Sequence, residues 1–153
     1  MLELFFLTLV SFLTRKKLVE EEKIPDDFVV EKDLDDYNVN SIIVELHQIV
    51  GSKASAEFIT GDELVKQMKE FSPLGKKSRD YYFKHQDRIP SEFKNQVNLF
   101  PDTIFKDKDG KRFIPSLSYH KLRDVWSADY FCLSDRVNLK HNCVPIFQGN
   151  VSN

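Results

Sequence analysis

Glycine is scarce in this chain, with five among 153 residues, and there are two cysteines and one tryptophan. So little glycine leaves no room for a glycine-rich phosphate loop, and none is found. Also missing are the G-x-S-x-G elbow of serine hydrolases, the H-E-x-x-H of zinc peptidases and any C-x-x-C pair. The four histidines are scattered, without a helper at helical spacing. Two cysteines allow at most one disulfide, and a chain of this length can bury a core without staples or metal. There is no excess of one charge. The formal net charge of −2 favours neither nucleic acid nor anionic membrane as a global partner.

What is present is a globular composition, 41% hydrophobic and 30% charged, with thirteen phenylalanines as large, rigid packing area. The charge is unevenly placed. Residues 20–45 hold ten acids against two lysines, and residues 76–94 hold six cations against three acids. The two stretches either lie close and neutralise one another, or face water or an outside partner.

The opening "MLELFFLTLVSFLTRKK" is apolar until three cations end it. As a helix, Met1–Leu13 would be about 20 Å long, short of the roughly 30 Å of a bilayer core. No cation precedes the run and no small-x-small site follows it, which argues against a secretory signal. Leu4, Phe5, Phe6, Leu9, Phe12 and Leu13 leave few polar positions on any side, so the segment calls for burial all round. The readings are a docking segment for a membrane surface or protein partner, a core helix, or an export signal, in that order. Arg15, Lys16 and Lys17 would hold the following chain on the cytoplasmic side of a membrane.

Residues 20–40 read as an acidic, solvated linker with a short strand at Phe28–Val30. Asp33, Asp35 and Asp36 lack the glycine and closing glutamate of a calcium loop, so a solvated acidic face is expected. In "SIIVELHQIVG", Ser41 can cap a helix that Gly51 ends, although the β-branched content also suits a strand. Thr60 and Glu63 form a capping box for a helix with Leu64, Met68 and Phe71 on one face. Ser78 is expected to cap a further helix running to Arg88. There Lys76, Lys77, Arg79, Tyr81, Tyr82, Lys84 and Arg88 interleave cations with rings, as phosphate-tracking, base-stacking proteins do. The favoured reading is nonetheless an amphipathic helix with its rings inward and its lysines facing water, and nucleic-acid binding is the minority one.

Asp109-Gly110 points to a two-residue type I′ hairpin, with Asp107 opposite Arg112, Phe105 opposite Ile114 and Thr103 opposite Ser116. Two more strands follow, and Phe100, Phe105, Phe113, Trp126, Tyr130, Phe131 and Phe147 are the candidate core. Cys132 and Cys143 are expected as free thiols. A disulfide, a weak metal site with His120 and His141, or a cysteine nucleophile are the alternatives. Asn150-Val151-Ser152 fits a glycosylation acceptor that matters only on export.

The expected fold is α+β: an apolar N-terminal helix (1–19), the linker (20–40), then a domain (41–153) of two to three helices and a small antiparallel sheet on the Asp109-Gly110 hairpin. The expected function is that of a non-catalytic, cytoplasmic accessory protein without a cofactor, docked to a membrane face or larger assembly through residues 1–17. Nucleic-acid binding through residues 76–94 is the alternative, and a thiol or metal enzyme the third.

Overall fold

The hairpin is where the fold is organised, and it closes one residue away from the expected register. In the computed structural model, which describes residues 24–51, 53 and 55–152, β5 (Thr103–Lys106) and β6 (Arg112–His120) pair Phe105 with Phe113 and Lys106 with Arg112. The Asp107 carboxylate accepts the amides of Asp109 (2.9 Å) and Lys111 (2.8 Å), and Gly110 turns at φ 81°. Asp109 does not share that positive φ, so the turn is not type I′. It is a three-residue loop with glycine in the left-handed position. Arg112 therefore leaves Asp107 and reaches Glu31 (2.7 Å) and Asp62 (3.2 Å) instead.

The remaining strands are β1 (Val29–Asp33), β2 (Ile42–Gln48), β3 (Phe58–Ile59), β4 (Val97–Leu99), β7 (Val125–Cys132), β8 (Val137–Asn138) and β9 (Asn142–Asn150). Seven of the nine form one curled, half-barrel sheet, in which β6 is flanked by β7 on one side and by β5 and β4 on the other. β5 carries β1, and β4 carries β9 and then β2. The expected antiparallel sheet is mixed, because β4 and β9 run parallel. The fold is α+β and mostly β.

Residues 42–48, whose first reading was helical, are a strand. Ile42, Val44 and Leu46 turn inward while Ile43 and Glu45 are exposed, a period of two that suits the β-branched side chains. The linker expectation also changes: its second half holds β1 and the buried Asp35. Phe28 stacks on Phe113 (4.7 Å between centroids) and meets Tyr130 edge-on, fixing the start of β1.

Two prolines sit inside the sheet, and both mark a split in it. Pro115 of β6 lies between the residues that pair with β5 (Arg112, Phe113) and those that pair with β4 (Ser116, Leu117), so its missing N–H costs no ladder bond. Its carbonyl accepts the Phe100 amide (2.9 Å). Pro145 of β9 turns its carbonyl to the Leu74 amide (2.9 Å), and Leu74 in turn accepts from Asp102. The segment Ser72–Gly75 thus fills the wedge between β9 and β5.

Helix α1 (Gly61–Met68) has the expected capping box, with Glu63 N donating to Thr60 Oγ1 (3.1 Å) and Thr60 N to Glu63 Oε2 (2.7 Å). Leu64 and Met68 are buried from it, whereas Phe71 lies beyond its end and is exposed. Helix α2 (Lys76–Lys84) starts two residues before Ser78 and stops short of Arg88. Its cap comes from far away: Asp35 Oδ2 accepts the amides of Gly75 (3.0 Å) and Ser78 (2.7 Å), and Oδ1 accepts the Ser78 hydroxyl (2.9 Å).

The core has two parts, one with Leu64, Met68, Leu99, Ile114 and Val144, the other with Leu74, Tyr82, Phe83, Phe93, Phe100, Leu117 and Trp126. Ile114 and Leu117 point to opposite faces of β6, so α1 covers one face of the sheet and α2 the other. Of the candidate core rings, Phe100, Phe105 and Trp126 are buried, and Phe113, Tyr130, Phe131 and Phe147 half-buried. The expected apolar helix over 1–19, with Leu4, Phe5, Phe6, Leu9, Phe12 and Leu13, lies outside the described residues.

Candidate functional site

Helix α2 divides the seven candidate residues of 76–88 between the core and the surface. Arg79 is fully buried. Its Nη1 donates to the carbonyls of Asp129 (3.0 Å) and Ser116 (3.5 Å), its Nη2 to the Tyr130 hydroxyl (3.3 Å), and its Nε to Asp80 (2.8 Å). Tyr82 is buried edge-on against Phe93, and burial, helped by Tyr81, pushes its phenol up to about 12. These two belong to the amphipathic reading of the helix, with the ring and the guanidinium packed under the sheet.

The other five residues remain at the surface. Lys76 is engaged with the Asp80 carboxylate one turn on. Arg88, past the helix end, stands 3.6 Å from Asp87. Lys77 and Lys84 are exposed, and no carboxylate among the described residues lies within ion-pair distance of either. Tyr81 is half-buried, its hydroxyl held by Asn40 and its ring 4.4 Å from that of His85. Lys77, Tyr81 and Lys84 share one stripe of the helix and, with His85 just past its end, line a groove of about 550 Å³. The opposite wall is Tyr37–Val39, where Tyr37 stacks flat on Phe147 at 5.1 Å. Sequence reasoning missed Tyr37 and His85. His85 could have been found at i+4 from Tyr81, whereas Tyr37 sits in the acidic stretch and joins only through the fold.

A second groove, of about 740 Å³, lies between the β1 edge and α1. Leu34, Val65, Met68, Phe71 and Ile104 give it an apolar floor, and the Lys32–Asp102 pair (3.0 Å) and Arg112 sit on its rim. Burial pushes the Asp102 carboxyl up, against the pull of Lys32. Among the described residues β1 pairs with β5 alone, and it has a bulge between Val30 and Lys32. Its apolar residues face outward: Val29 is 68% exposed, Val30 53%, and Leu34 just past its end 64%.

The cysteines are free and stand on strands separated by β6 and β4. Cys143 is buried beside Asn98 Oδ1 (3.3 Å), and burial pushes its thiol up to about 12. Cys132 is partly exposed next to Ser134. A thiol reagent at pH 8 should therefore titrate one thiol in the folded protein and two after denaturation. Prompt reaction of both in the native state would contradict this burial. Among the described residues no cluster of three histidine, cysteine or acidic side chains is arranged to hold a metal ion. No described helix is long and apolar enough to cross a membrane.

Comparison with protein-family models, with curated proteins and with solved structures finds no match for this chain.

Proposed function

We propose that this chain is a non-catalytic interaction protein that docks onto a partner protein through its apolar opening segment, with the exposed edge of β1 as a second contact. The observation that carries this reading is the exposure of Leu34 in the large groove and of Val29 and Val30, on opposite faces of the strand that leads to it, within a dozen positions of residues 1–17. Clustered exposed apolar residues mark interaction surfaces, whereas single ones need no explanation. Among the described residues the outer edge of β1 has no partner strand, and such a backbone suits a protein partner better than lipid, which cannot satisfy its N–H and C=O groups. The bulge in β1 guards that edge against indiscriminate pairing.

The test replaces two apolar residues in the full-length chain, as Leu9→Glu with Phe12→Glu. Light scattering on size-exclusion fractions without detergent should find the parent chain self-associated and the variant a monomer of 17.9 kDa. A variant that unfolds while the parent is a stable monomer would make the segment part of the core. Loss of the parent chain to neutral lipid vesicles, reversed in the variant, would replace the protein partner with a membrane surface.

A further inference from the structure

The groove beside α2 is separate from the β1 face and has a different chemistry. Its two cations without a carboxylate partner among the described residues, Lys77 and Lys84, stand two turns apart, about 10 Å along the axis. The one acid in its lining, Asp80, has both oxygens engaged, by Lys76 and by Arg79. Among the described residues, the lining therefore offers Lys77 and Lys84 as its available charges. Between the lysines lies Tyr81, held by Asn40, and across from it Tyr37, backed by Phe147. Fixed rings on both walls lose little freedom when a planar group enters.

The groove also continues past the helix. Tyr81 and Val39 line a smaller hollow with Arg88 and Pro90, so a third cation lies along the same path. A cationic track with interleaved rings is the arrangement that holds an unpaired strand, its phosphates on lysines and its bases on rings. A duplex, whose bases are already stacked, gains nothing from Tyr37 and Tyr81.

We infer that the groove formed by Lys77, Tyr81, Lys84, His85 and Tyr37 binds a single-stranded nucleic acid, one base entering between the tyrosines. The continuation to Arg88 favours a strand over a free nucleotide.

The test is fluorescence anisotropy of a labelled short oligouridine with the full-length chain, at about 50 mM and about 200 mM salt. Lys77→Glu with Lys84→Glu should weaken binding by on the order of tenfold. Losing two phosphate contacts should also flatten the log–log salt slope by about 1.4, at roughly 0.7 per contact on a single strand. Tyr81→Ala should weaken binding by roughly five- to a hundredfold, and Tyr81→Phe, which keeps the ring, far less. Melting curves of each variant confirm that it is folded. No binding by the parent chain, unchanged binding by the double glutamate variant, or equal affinity for a duplex overturns the inference. Displacement by uridine monophosphate at oligouridine concentrations overturns the strand as occupant.

Discussion

Replacing Arg79 with alanine should destabilise the fold by about 3–5 kcal/mol, the range seen when one partner of a buried charged network is removed. The side chain is wholly inside, and its guanidinium serves Asp129, Ser116, Tyr130 and Asp80 from one planar fork. The acceptors sit on β6, β7 and α2 itself, so this residue ties the helix to the sheet. Truncation takes a charged donor from the Ser116 and Asp129 carbonyls, which lie opposite one another in the β6–β7 ladder, and leaves a cavity where the alkyl stem and the Tyr130 ring contact were (guanidinium carbon 5.1 Å from the ring centre). Lysine should not rescue it, because a single ammonium cannot span acceptors placed for a fork. Urea unfolding checks this: the midpoint should fall at unchanged slope. A loss below about 1 kcal/mol would show that the network rearranges and that Arg79 does not anchor α2.

The second large effect is expected at Asp35. Its carboxylate accepts the Gly75 and Ser78 amides and the Ser78 hydroxyl, at the N-terminus of a helix whose own cap position is glycine. A negative group there satisfies orphan donors and opposes the helix dipole. Asp35→Ala should cost about 2–4 kcal/mol, since charged hydrogen bonds and a cap are lost together at a buried site. Asp35→Asn keeps one acceptor oxygen and should cost roughly half as much. Hydrogen exchange should localise the damage to the first turn of α2, with the amide of Ser78 losing protection before those of β6. Equal loss of protection through the whole sheet would mean that Asp35 supports the global fold instead of this one helix end.

How much of this was legible beforehand depends on the range of each signal. The Thr60–Glu63 box lies within four residues, and it placed α1 correctly. The turn at Asp109-Gly110 was also visible. Its register was not, because the Asp107 carboxylate draws Lys111 into the loop and moves Arg112 to partners far away in sequence. Residues 42–48 satisfied two periods at once, and packing against the α2-side core decided for the strand. The parallel β4–β9 pairing joins residues some 45 positions apart and leaves no local trace. For the same reason Asp35 read as a solvated acid: its partners lie about 40 positions on.

In the candidate groove, Lys77, Tyr81 and Lys84 were visible as an alternation of cations and rings. That pattern also swept in Arg79 and Tyr82, because it carries no information about which side of a helix packs. Only the i, i+4, i+7 spacing from Lys77 separates the outward stripe from the inward one.

The docking role of residues 1–17 is tested most directly by urea unfolding of the full-length chain beside one that starts at Leu18. If the opening segment serves a partner and not the core, both should unfold at the same midpoint and slope at a protein concentration low enough to keep the parent chain monomeric. A midpoint lower by more than about 2 kcal/mol of stability, the cost of losing buried apolar side chains, would contradict that role and return "MLELFFLTLVSFL" to the hydrophobic core.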